Sequence, residues 1–284
     1  TKVYVSNYLQ DTFCGITVIQ IYSCGTSLTS LIEGNTLIFR GEGEMYDYNS
    51  KRLAPWHSEA DIIEIIELPE GLTSIGSYAF EHLFEVTAIT IPSKVTTITA
   101  SLFYNCTNLA TIEILGDVAL IGSGSFYNCT SLTTITIPPN VASIGLSVFE
   151  FCTSLLRITI PSKVTEITSS LFNGCTNLTK IEIEGPITII ESSAFKECSK
   201  LQNITIPSSV EKIEAEAFSA CTSLHSITIP TKVTAINESL FNGCTNLESI
   251  EIEGNLEEIG ASSFSGCTKL STIVYKGTNN PSFQ

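Results

Sequence analysis

The 284-residue sequence predicts an α/β solenoid: a parallel β-sheet on the concave face, short helical or 3₁₀ turns on the convex side, and a β-rich cap at the N terminus. Three observations predict it. Phenylalanine recurs every 23 residues at Phe80, Phe103, Phe126, Phe149, Phe172, Phe195, Phe218, Phe241 and Phe264. Cysteine keeps the same step three residues later, from Cys106 to Cys267. An Ile-x-Ile pair recurs in phase with both, as at Ile112/Ile114 and Ile135/Ile137. A period held without insertion means that each unit fills a fixed slot against its neighbours.

Residues 1–60 lack the repeat. There Thr36-Leu37-Ile38-Phe39 reads as a strand, followed by a Gly-rich turn and an aromatic loop with Tyr46, Tyr48 and Trp56. A terminal coil would expose one apolar side, so this segment is expected to form a lid with Trp56 packed on the first coil. The alternative is a separate ligand site around Trp56 and Tyr46.

From residue 61 to 284 about nine units follow. In each, Ile-x-Ile alternation puts both Ile on the core face and leaves Thr or Glu outside, and β-branched residues suit the pleat. Proline often ends the strand, as at Pro92, Pro138, Pro161, Pro207 and Pro230, because it has no N–H to donate to a ladder. A Val-x-x-Ile step comes next, and then Phe and Cys three apart, a spacing that suits one inward-facing helical turn. A longer period overlies the first. Segments 101–109, 170–178 and 239–247 are near copies 69 residues apart, and their units carry Glu113, Glu182 and Glu251 between the two Ile.

The unit L-x-x-I-x-I-P-x-x-V-x-x-I-x-x-x-x-F-x-x-C matches a leucine-rich repeat. With its fixed length and its C-T-x-L junction (Cys106-Thr107-Asn108-Leu109), it resembles the BspA-like leucine-rich repeat family of surface proteins from bacteria and parasitic protists. The resemblance covers residues 61 to about 275, and the segment ending in Ala54-Pro55-Trp56 is similar to the N-terminal cap of that family. It implies a cell-surface or secreted adhesion protein that attaches to host cells and to extracellular-matrix proteins such as fibronectin.

Composition narrows the partners. A net charge of −15 opposes docking on phosphate backbones, which excludes nucleic acid. No apolar run is long enough to span a bilayer, so membrane association is expected only through segments outside this chain. The chain opens on Thr1 with no signal-like stretch, which implies a removed leader or a longer parent. Eight of the ten cysteines share one core column and are expected as free, buried thiols; Cys14 and Cys24, ten residues apart outside the array, are the one candidate disulfide pair, with bonded and free states both left open.

Catalysis, cofactors and metal sites are not expected. No nucleophile or phosphate-loop motif is present, and His57, His82 and His225 have no metal-ligand spacing. Glu113, Glu182 and Glu251 would lie three coils apart, about 14 Å, beyond the reach of a paired-acid mechanism.

What remains is surface. The outward columns of the strands hold mostly Thr and Ser, and they break to charge and amide at Arg157, Lys180, Glu182, Asn203 and Glu251, with Thr159 and Thr205 standing among them. Packing does not require these residues, so they are the candidate protein-binding site on the concave face. The alternative is a structural spacer or stalk with no specific ligand; an ice-binding sheet is disfavoured because the Glu interruptions spoil a flat Thr surface.

Overall fold

The computed structural model describes residues 2–6, 12–13 and 16–283, with side chains from residue 19 onward. Cys14 lies outside the described residues, and with it the candidate Cys14–Cys24 pairing; Cys24 is buried.

The chain winds into a solenoid of about nine coils with parallel strands, each coil having three sides. One side carries the Ile-x-Ile strands: Ala88–Ile91 with Thr111–Ile114, Arg157–Ile160 with Lys180–Ile183, and Ser226–Ile229 with Ser249–Ile252 and Thr272–Tyr275. A second side carries two-residue strands such as Thr97–Ile98, Leu120–Ile121 and Ser143–Ile144. The third is a layer of turns containing the Phe and Cys columns. Inward residues from all three sides meet in one core, where Phe80 to Phe241 are wholly buried.

The strand ladder is not continuous, and proline decides where it breaks. Where the residue after the second Ile is not proline, its N–H donates to the preceding coil: Leu115 to Ile91 O at 3.1 Å, Glu184 to Ile160 O and Glu253 to Ile229 O at 3.0 Å, Lys276 to Ile252 O at 2.9 Å. Those four coils pair with the coil before them. Where the residue is Pro92, Pro138, Pro161, Pro207 or Pro230, that bond is lost and the coil forms no ladder with its predecessor, apart from a single bridge between Thr134 and Arg157. Residues 135–137 and 203–206, with proline both in their own coil and in the next, form no strand. Strands expected at every repeat are therefore absent from these two.

The helical turns expected on the convex side are also absent. Among the described residues the single 3₁₀ helix is His57–Glu59, before the repeats. In the turn layer alternate N–H groups point along the solenoid axis: Tyr78, Phe80 and His82 donate to Ala100 O, Leu102 O and Tyr104 O of the next coil at 3.2, 3.1 and 2.8 Å. Left-handed residues such as Ser101 (φ 52°) and Asn105 (φ 61°) turn these groups outward, which is incompatible with a helix. Each such residue costs roughly 1–2 kcal/mol and each bond returns about 0.5–1.5, so core stacking has to hold the conformation.

That stacking is the Phe ladder. Ring centroids step by 5.3 to 6.0 Å from Phe80 to Phe264, and the rings are near-parallel from Phe103 onward. Phe264, on the last coil, is only partly buried, so the ladder is buried up to Phe241 and opens at its end. At the other end, Trp56 is 1% exposed, packs edge-on against Phe39 and Tyr48, and donates its indole N–H to Ala79 O at 2.8 Å. Its ring lies 6.4 Å from that of Phe80 on the first coil, so Trp56 is buried and satisfied internally. The N-terminal sheet (Ile16–Ser23, Leu28–Glu33, Thr36–Gly41) runs on into the array through Ile65–Glu67, which pairs in parallel with Thr36–Gly41.

Candidate interaction face

Alternation along Arg157–Ile160 buries Ile158 and Ile160 and turns Arg157 and Thr159 outward. Register then sets Arg157 beside Lys180 and Thr159 beside Glu182 on the next strand. Two cations directly opposite one another repel. Lys180 relieves this by turning its Nζ to Glu182 Oε1 at 2.5 Å, and Thr159 Oγ1 donates to Glu182 Oε2 at 3.5 Å. The Lys180 ammonium, bonded to Glu182, holds its carboxyl below the usual carboxylate range, with Thr159 adding a little. The pair is solvent-exposed and screened, so it contributes little stability. Among the described residues Arg157 has no ion-pair partner.

These four residues line an open groove of about 600 Å³ together with Thr134, Thr136 and Glu184. The groove lies over the proline seam between residues 134–137 and Arg157–Ile160, where the ladder is interrupted. The other expected site residues separate from it. Asn203 and Thr205 are exposed on the next coil, across another seam. Glu251 is two coils further on, half-buried and ion-paired with Lys276. Glu184 was not foreseen as part of the site, although its replacement of the column's proline was legible in the sequence.

A related groove of about 540 Å³ recurs one 69-residue period earlier, where Thr90 Oγ1 donates to Glu113 Oε2 at 3.3 Å. There Ala88 and Thr111 stand where Arg157 and Lys180 stand in the second block. The two adjacent cations thus distinguish the second groove.

Among the described residues no set of three His, Cys, Asp or Glu side chains is placed to hold a metal ion. The fold brings His57 and His82 together, ring centroids 6.2 Å apart, while His225 is exposed far along the array. The array thiols donate to the Phe carbonyl of the preceding coil, as Cys106 Sγ does to Phe80 O at 2.9 Å, and burial pushes Cys106, Cys152 and Cys244 up to about 12. Among the described residues no helix is long and apolar enough to cross a membrane.

A family model described as a BspA type leucine rich repeat region matches residues 58–179 and 165–282. The fold is similar to that of a leucine-rich repeat protein from Bacteroides ovatus ATCC 8483, with a TM-score of 0.69 and 25% identity over 99% of this chain and 65% of that one. It is also similar to a leucine-rich repeat protein from Eubacterium ventriosum ATCC 27560, with a TM-score of 0.56 and 24% identity over 89% of this chain and 84% of that one. The chain thus spans just under two thirds of the length of the Bacteroides protein. No curated protein matches it.

Proposed function

Because the chain belongs to the BspA-type leucine-rich repeat family, we propose that it is a non-catalytic recognition protein of the cell surface or the secreted fraction, binding a host-cell or extracellular-matrix protein such as fibronectin through its strand face. The observation that carries this reading is the groove at the second Thr-Glu block, where Arg157 and Lys180 stand side by side with Glu182 and Glu184 on a face lined mostly by Thr and Ser. None of these side chains packs into the core, and a mixed-charge patch of this kind sets orientation and on-rate for a protein partner. The face has few aromatic anchors, so affinity comes from many small contacts along the array. Asn203 and Thr205 extend the contact by one coil, and Glu251 by a further block.

Surface plasmon resonance over immobilised fibronectin and other matrix proteins tests the reading, using a variant with Arg157→Thr, Lys180→Thr, Glu182→Thr and Asn203→Ser. Those replacements occur at the same positions of other coils, so the core is undisturbed. Loss of binding at unchanged melting temperature supports the assignment. Binding retained by the variant removes the site from this face, and no binding by the parent to any matrix protein favours a spacer.

A further inference from the structure

The aromatic residues missing from the strand face lie on the turn layer instead. Rings of His57, His82, Tyr104, Tyr127 and Phe151 follow one another at 6.2, 5.8, 4.7 and 5.6 Å, and Phe84 adjoins His82 at 5.7 Å. All six are half-exposed. The stripe belongs to the first four coils alone. In the column of Tyr104 and Tyr127 the later coils place Glu150, Asn173, Lys196 and Ser219, and in that of Phe151 they place Gly174, Glu197 and Ala220. The backbone bonds do not change with this substitution: Asn128 N–H donates to Glu150 O and Gly174 N–H to Lys196 O at 2.8 and 2.9 Å. Packing therefore does not require the rings.

Charge is distributed just as unevenly. Residues 53–156 contain ten acidic side chains and, besides His57 and His82, a single basic one, Lys94. Glu81 reaches within 3.8 Å of His82 Nδ1, Glu85 is exposed beside Phe84, and Asp61 shares with His57, His82 and Phe84 a hollow of about 350 Å³. Half-exposed rings bordered by carboxylates fit one side chain above others. A guanidinium stacks on aromatic surfaces and forms bidentate bonds to carboxylate, whereas an ammonium is a strongly hydrated point charge.

We propose that this stripe is a second docking surface, independent of the strand face, for an arginine-bearing segment of a partner protein. Titration calorimetry of the full chain against an arginine-rich peptide of about nine residues and its lysine counterpart tests it. The aromatic variant combines Tyr104→Asn, Tyr127→Asn and Phe151→Gly, residues that the later coils already use in these columns. The parent is expected to bind the arginine peptide about tenfold more tightly than the lysine peptide, and the aromatic variant to bring the two together. The strand-face variant should behave as the parent. Should the aromatic variant melt early, the combination of Glu81→Gln, Glu85→Gln and Glu150→Gln is expected to weaken both peptides. Equal affinity of the parent for both peptides, no binding at all, or arginine-peptide binding unchanged in the variants overturns the proposal.

Discussion

Each array cysteine does two things at once: it fills a slot beside the Phe ladder and satisfies a carbonyl of the preceding coil, as Cys175 Sγ does for Phe149 O at 3.0 Å. Burial raises the thiols, to about 12 at Cys106, Cys152 and Cys244. The folded value lies above the unfolded one, so their contribution is fully present below the ordinary thiol range and is lost as pH climbs toward 12. Thermal unfolding against pH is expected to be flat to about pH 8.5 and to fall steeply above it, and a thiol reagent at pH 8 should leave Cys106 to Cys244 unlabelled until denaturant is added. A melting temperature constant to pH 11 would contradict this. Phe172, stacked between Phe149 and Phe195 at 5.7 and 5.5 Å, has neighbours fixed on both sides. Phe172→Ala should cost roughly 3–5 kcal/mol in denaturant unfolding, because the cavity cannot collapse.

Among the secondary-structure elements, the proline column segments the sheet. Glu184 N–H bonds Ile160 O at 3.0 Å in a column where six other positions carry proline. Glu184→Pro is compatible with the turn and removes this one bond, so stability should fall by about 1 kcal/mol. Amide exchange should quicken through Lys180–Ile183, the strand that loses its attachment. The reverse change, Pro161→Ala, restores a donor facing Ile137 O and should slow exchange in Arg157–Ile160. Unaltered exchange in both variants would mean that something other than the missing N–H interrupts the ladder.

For the whole molecule the two ends differ. Trp56 and Phe39 cover Phe80 at the N-terminal end, with the Trp56 and Phe80 rings 6.4 Å apart. Deleting residues 1–60 uncovers the first coil, and the truncated array is expected to aggregate in size-exclusion chromatography. A soluble, fully folded truncation would show that the lid is dispensable. At the other end Ile273, Val274 and Phe283 are 49%, 45% and 78% exposed. Salt dependence is another molecular property. A partner held by the acidic turn layer should bind more weakly as ionic strength rises, since exposed charges are screened within about 10 Å at 0.1 M.

The coil length, the inward columns and the order of elements follow from sequence alone, because a side chain that must fit the same slot in every coil imposes its period on the chain. Phe, Cys, Leu and the paired Ile each meet an identical neighbour 23 residues away, so local pattern and global packing coincide. The outward placement of Arg157, Thr159, Lys180 and Glu182 was legible for the same reason, as strand alternation requires it. The tertiary structure decided whatever depends on the adjacent coil. Whether two strands pair depends on whether the later one has an N–H after its second Ile, and the direction of alternate N–H groups made turns, not helices, of the Phe segment. It also divided the expected site, leaving Glu251 three coils beyond the groove and bringing in Glu184. Tyr104, Tyr127 and Phe151 form a stripe because their rings meet across coils, a relation between residues 23 or more apart that no local window contains.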